Sequence, residues 1–235
     1  MLMAHGVTHT GRRSTNEDAM LVEPALGLFV VADGMGGHNA GEVASAMAVR
    51  AIHDFITQGP DVDALAVAAS LRQANDEILT TAEGSPEYQG MGTTVVAAML
   101  KGDRVVYGSV GDSRLYLWRG GSLTQLTEDD SWINRVLPPE ALGTADALDH
   151  PMRHVLTKVV GVRSDLDPTV GDFEFDEGDT MLLCSDGLHG TIGDEAIART
   201  VSRTDPVETI AQSLVDQALA AGSTDNITVV IVRKE

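Results

Sequence analysis

Several aspartates stand where an apolar run gives way to a turn. Asp33 follows the run 28–32 and precedes Gly34, and Asp186 follows 181–185 and precedes Gly187. Asp112 lies in Gly111-Asp112-Ser113-Arg114, Asp225 in Thr224-Asp225-Asn226, and Asp18 closes Asn16-Glu17-Asp18. A carboxylate at the end of a buried strand is costly unless it is solvated or neutralised. Taken singly, an Asp-Gly at such a place reads as a turn. Brought to one rim of a sheet, these groups would form a negative pocket that wants cations. Oxygen donors with no partner cysteine and few nearby histidines favour Mg²⁺ or Mn²⁺ over zinc. Arg13 precedes Asn16-Glu17-Asp18; a lone arginine is commonly a solvated charge, but a guanidinium also matches a phosphate bidentately.

Three further motifs are weaker. Gly34-Met35-Gly36-Gly37-His38-Asn39, with Asp54 downstream, resembles the start of a dinucleotide fingerprint. Asn39 stands at its third glycine position and a helix follows where a strand is required, so it is set aside. Cys184 would need an arginine six positions on to form a cysteine-phosphatase loop, and Gly190 stands there; it reads as a core residue. His150 and His154 have a metal-pair spacing, but Pro151 between them argues for a solvated loop.

The elements that must position these residues follow from periodicity. Helical spacing covers 42–56 and 62–81 with no strand between them, so this is a helix pair and not a β-α-β unit. Strands are expected at 28–32, 93–100, 104–110, 114–119, 172–175, 180–184 and 227–232, with a short one at 123–126. A second helix pair is expected at 194–201 and 207–220, and 137–153, with three prolines, reads as a loop or small flap. Strand blocks alternating with helix pairs imply an α+β fold of antiparallel sheets flanked by helices.

Composition narrows the class. A chain of 235 residues allows one large domain or two small ones, and with no linker or repeat a single domain over 1–235 is expected. The net charge of −19 argues against nucleic acid or anionic membrane as a main partner, because no basic surplus exists to neutralise phosphates. Cys184 is the only cysteine, which excludes an intrachain disulfide and a cysteine zinc site. No leader and no apolar run near the roughly 20 residues of a membrane span is found, so a cytoplasmic protein is expected.

In their order along the chain, Gly11-Arg12-Arg13-Ser14-Thr15-Asn16-Glu17-Asp18, Val30-Val31-Ala32-Asp33-Gly34-Met35-Gly36-Gly37-His38, Gly90-Met91-Gly92-Thr93-Thr94, Gly111-Asp112-Ser113-Arg114, Cys184-Ser185-Asp186-Gly187-Leu188 and Thr224-Asp225-Asn226-Ile227-Thr228 resemble the metal-dependent serine/threonine protein phosphatases of type 2C, in their compact bacterial form. The resemblance covers essentially the whole chain. It implies an α/β (α+β) sandwich of two central antiparallel sheets with helix pairs outside and a flap beside the active site. It implies that Asp33 bridges two Mn²⁺ or Mg²⁺ ions, that the Gly34 carbonyl binds one, and that Asp186 and Asp225 complete the other. Glu17 and Asp18 would act mainly through water, Asp112 with Asp186 would hold a third, weaker ion, and Arg13 would hold the substrate phosphate. A water bridging the ions would attack phosphorus directly, without a phosphoenzyme.

The implied substrates are phosphoserine and phosphothreonine proteins of a serine/threonine kinase, met by a monomer. Two departures stand out: Met35 occupies the position where eukaryotic members carry a histidine proposed as general acid, with His38 nearby, and the flap is short. A binding protein of the same fold without turnover is the alternative class, and a small-molecule phosphatase a third. The presence of Asp33, Asp186 and Asp225 favours the enzyme, since inactive relatives usually lose a metal aspartate.

Overall fold

The computed structural model describes residues 1–36, 40–59, 63–138, 141–142, 144 and 150–235. Among these, eleven strands and five helices follow the chain order β1 (Leu2–His9), β2 (Asp18–Glu23), β3 (Leu28–Met35), α1 (Ala40–Thr57), α2 (Ala64–Gly84), β4 (Gly92–Thr93), β5 (Val95–Lys101), β6 (Arg104–Val110), β7 (Arg114–Arg119), β8 (Ser122–Gln125), α3 (Trp132–Val136), β9 (Thr169–Glu174), β10 (Thr180–Cys184), α4 (Asp186–Val201), α5 (Val207–Ala220) and β11 (Ile227–Lys234). One sheet has the order β1-β11-β10-β7-β8 and the other β2-β3-β5-β6-β9, with β4 paired to the end of β3. The pairings within both sheets are antiparallel.

The two-residue period of the strands builds the layers. On β3, Phe29 and Val31 join Val96, Leu183 and Val230 between the sheets. Leu28, Val30 and Ala32 face the other way, onto Ala44, Ala48 and Ile52 of α1 and Leu71 and Ile78 of α2. On β11, Val230 and Val232 point inward while Val229 and Ile231 meet Ile210, Leu214 and Ala218 of α5. The alanines of α1 recur at the four-residue spacing that lets a helix lie close on a sheet. The result is a four-layer α/β/β/α sandwich, as the sequence implies. No helix among the described residues is long and apolar enough to cross a membrane.

The structure adds β1 and β2, which the sequence reading lacks. Leu2–His9 is half-buried for most of its length, so it shows no clean apolar alternation, yet every residue pairs with β11. A helical segment also begins at Asp186, eight residues before the expected start, and breaks at Gly193, whose φ of 70° leaves the helical region. The short α3 is likewise unforeseen. Within the flap expected at 137–153, residues 139–140, 143 and 145–149 lie outside the described residues.

This topology collects the strand ends of interest on one rim. Asp18 opens β2 directly opposite Asp33 at the end of β3. Asp112 occupies the turn where the chain passes from β6 of one sheet to β7 of the other, Asp186 follows β10, and Asp225 precedes β11.

Candidate active site

A cavity of about 250 Å³ opens at this rim. Asp33, Asp112, Asp186, Asp225 and Glu17 supply its carboxylates, Arg13 and His154 its basic groups, and Gly34, Met35, Thr94 and Leu156 much of the remaining wall. A larger groove, about 780 Å³, runs along α1 and α2 past Met47, Arg50, Arg72 and Glu77, but no buried carboxylate lines it. Chemistry, not volume, marks the smaller cavity as the site.

The loop 10–17 is tied to the rim by Asn226. Its side-chain NH₂ donates to the Thr10 and Thr15 carbonyls at 2.9 and 3.0 Å, and its Oδ1 accepts from Glu17 N at 2.8 Å. This brings Arg13 to Asp225, whose Oδ2 accepts from Nη2 at 2.7 Å. Gly11 sits at a φ of 62°, and a Cβ there would run into the Asp225 carbonyl. Gly34 is as tightly held: a Cβ would collide with the Gly41 and Glu17 carbonyls, so only glycine lets α1 and the 10–17 loop close on the end of β3. Asp33 is fixed through its backbone, its N–H donating to Thr94 Oγ1 at 3.1 Å and its carbonyl accepting from Thr94 N at 2.9 Å. Asp18 is not part of the cavity wall. It lies buried, accepting on Oδ2 from Ser185 Oγ at 2.8 Å and Thr228 Oγ1 at 2.6 Å, while its Oδ1 has no partner.

The electrostatics are those of crowded acids. Burial pushes the Asp18 carboxyl up to about 6, against the pull of the Thr228 and Ser185 hydrogen bonds. Burial and then the charge of Asp186 push Asp112 up to about 7. Asp33 is held well above the ordinary range by burial and then by Asp18, Asp186 and Asp112. Asp186 is raised by burial and then by Asp225, and Glu17 by burial. Asp186 Oδ1, like Asp18 Oδ1, is buried without a partner. A divalent cation would reverse each of these penalties. Orphaned oxygens, raised carboxyls and an all-oxygen donor set therefore fit a hard cation. Among the described residues no three His, Cys, Asp or Glu side chains already form a closed ligand group, and Asp225 is engaged by Arg13.

The sequence model of the protein phosphatase 2C family matches residues 5–222. The chain belongs to the protein phosphatase 2C family. It is 37% identical over 220 residues to the serine/threonine protein phosphatase PstP of Mycobacterium tuberculosis, covering 93% of this chain and 42% of that protein. It thus spans less than half the length of that relative. It is 36% identical to the serine/threonine phosphatase stp of Listeria monocytogenes, over 88% of this chain and 84% of the relative. The crystal structure of the Mycobacterium tuberculosis phosphatase superposes with a TM-score of 0.90 at 35% identity, covering 100% of this chain and 99% of that one. The catalytic domain of PstP in complex with two manganese ions superposes at 0.85 with 33% identity, covering 99% of each chain.

Against this family background, the structure brings Arg13, Glu17, Asp33, Gly34, Asp112, Asp186 and Asp225 to one cavity and sets Asp18 behind it. His150 and His154 lie in an irregular segment with His154 exposed, as the sequence reading has it; beyond that reading, His154 lines the cavity and the His150 ring stacks on Trp132 with centroids 5.3 Å apart. Pro151 does exclude a helical metal pair; it does not keep His154 from the site, because the chain folds back after it. Cys184 is fully buried and its thiol is pushed up by burial, as a core residue should be. His38 lies outside the described residues. His189 escaped the sequence reading. Its Nε2 lies 3.0 Å from the Asp112 carbonyl, an acceptor only, so that nitrogen carries the proton. Desolvation and then Arg114 hold its pKa well below the usual range, keeping it neutral. It lies three positions after Asp186 on one helix, the signal that could have found it.

Proposed function

We propose that this chain is a metal-dependent protein serine/threonine phosphatase that hydrolyses phosphoserine and phosphothreonine by direct attack of water. The observation that carries the proposal is the convergence of five carboxylates and Arg13 on one cavity in a chain of this family. Asp33, the Gly34 carbonyl, Asp186 and Asp225 would hold two Mn²⁺ or Mg²⁺ ions, Asp112 with Asp186 a third, and Glu17 and Asp18 would act through water. When bound, such ions supply positive charge that acidifies a water and neutralises phosphoryl oxygens. The two manganese ions of the PstP catalytic domain support the metal set.

The chain's own groups do the rest. Asp18 is held by Ser185 and Thr228 behind the cavity and keeps one buried oxygen without a partner. Asn226 fixes the loop that carries Arg13. The Arg13 guanidinium, reaching the cavity beside Asp225, would take two phosphoryl oxygens and orient phosphorus for in-line attack. Met35 on the wall cannot donate a proton. The substrates would be proteins phosphorylated by a serine/threonine kinase, which makes signal transduction the setting; a monomer in the cytoplasm completes this reading. The test is phosphate release from a phosphothreonine peptide. Turnover with Mn²⁺ and none in excess chelator is expected; tight peptide binding without turnover would favour a binding protein of the same fold.

A further inference from the structure

Behind the Asp112 turn lies a residue with contacts on two sides. Asp130 N donates to the Gly111 carbonyl at 2.8 Å, and Gly111 N donates to Asp130 Oδ2 at 3.2 Å. On its other side the Asp130 carbonyl accepts from Thr157 N at 2.7 Å and Thr157 Oγ1 at 3.0 Å, and Oδ1 pairs with Lys158 Nζ at 3.0 Å. One backbone group and one carboxylate oxygen thus face each neighbour. The clamp continues along the chain, with Ser131 bridged to Leu156 and Trp132 N donating to the Val155 carbonyl at 2.7 Å. The segment it holds carries His154 and Leu156, two residues of the cavity wall. His154 and Val155 are exposed, so this edge meets whatever is attached to a phosphate in the cavity.

We propose that Asp130, together with Lys158, is a positioning residue that sets the 154–156 edge of the cavity against the Asp112 turn, and so selects phosphates borne on a polypeptide over small phosphate esters. The proposal rests on the phosphatase reading for its substrate preference; its positional part does not. The Asp130 carboxylate is 12% exposed and Lys158 38%, so the pair is shielded enough for its geometry to matter. The Asp112 turn has other anchors: Arg114 grips Asp129 through Nε at 2.9 Å and Nη2 at 2.7 Å, and Ser113 Oγ lies 2.7 Å from Thr94 Oγ1. Loss of the Asp130 side chain should therefore release the 154–156 edge and leave the acids in place.

The experiment uses the full chain with Trp118→Phe, so that Trp132 alone reports. Asp130→Ala should raise acrylamide quenching of Trp132 about twofold and the KM for a phosphothreonine peptide about three- to tenfold, with para-nitrophenyl phosphate turnover within about twofold of the parent. Lys158→Met should do the same more weakly, and Lys158→Arg should restore the parent values, because a guanidinium keeps the charge and a donor. Lys158→Met also carries the test if Asp130→Ala fails to fold. Unchanged quenching overturns the positional claim. Equal losses on both substrates overturn the selectivity claim and reduce Asp130 to a structural ion pair. A parent chain that cleaves neither substrate refutes the phosphatase reading and with it the selectivity, while quenching still decides the position.

Discussion

Two sets of largely shielded aspartates in this molecule are treated in opposite ways. Asp129 and Asp179 have side chains 10% and 5% exposed, and each is gripped by an arginine, Asp129 by Arg114 and Asp179 by Arg119. Asp179 also accepts from Asp176 N at 2.7 Å. Asp33 and Asp186 have no comparable partner, burial and neighbouring acids raise the pKa of both, and Asp186 keeps one oxygen unpaired. In the first set the chain neutralises its own charge, so the group is structural. In the second the chain leaves the charge to be neutralised from solution, at a cost in stability that only a ligand removes. The contrast locates function by what the fold leaves unfinished.

The widest break of this comparison is Asp33→Asn. It removes a charge that metal would need and that the empty fold tolerates badly. Activity with Mn²⁺ should fall about 10³-fold or more, while the melting temperature in chelator should rise. A fall in both would make Asp33 an ordinary structural acid. Arg114→Met is the converse case. It strands Asp129 in a buried site and should cost about 3–5 kcal/mol, lowering the melting temperature by about 10 °C in calorimetry with or without metal. A shift seen only with metal present would tie the pair to the site instead.

How much of this was readable from sequence depends on how local the cause is. The bounds of β6, β7 and β10 agree with the expectation to the residue, since Lys101-Gly102-Asp103, Gly111-Asp112 and Glu177-Gly178-Asp179 end or begin them by local turn preference. The acids of the rim were legible because each closes or opens an apolar run. β1 was not, because its half-buried residues take their order from β11, more than two hundred positions away. The first turns of α4 were hidden by Gly187, Gly190 and Gly193, poor helix formers that the site and the break at Gly193 retain. His154 reaches the cavity through tertiary folding of the loop after Pro151, and His189 reaches the Asp112 carbonyl from one helix face, neither of which a motif at strand ends reports.

A smaller effect probes the boundary between the two sets. Arg13 is exposed, and it pairs with a rim aspartate, Asp225. If it serves phosphate, Arg13→Ala should lower kcat/KM about 30–150-fold, the equivalent of about 2–3 kcal/mol, with little change in melting temperature. Arg13→Lys should recover only part, because an ammonium cannot make the bidentate contact. Steady-state kinetics beside thermal melts would show it; unchanged kinetics for Arg13→Ala would return this residue to the solvated surface.

The smallest effect is a pH dependence, and its sign separates the two sets without mutation. Burial lifts Asp18 to about 6 and Asp112 to about 7 from the ordinary value of 3.8. Between the unfolded and folded values the folded chain holds protons that the unfolded chain has lost. Stability must then fall as pH rises through that window, and the cost is fully present above the folded values. The two sites are coupled to their neighbours, so the summed effect is smaller than the separate shifts imply. Without metal, the melting temperature at about pH 5.5 should exceed that at about pH 8 by a few degrees, about 2–4 °C for each kcal/mol. With saturating Mn²⁺ the order should invert, since the ions require the deprotonated acids and stabilise the folded state by mass action. Melting curves at both pH values, with chelator and with Mn²⁺, check it. A metal-free chain that is more stable at the higher pH would mean that its buried acids already have partners, and the distinction between the two sets would be lost.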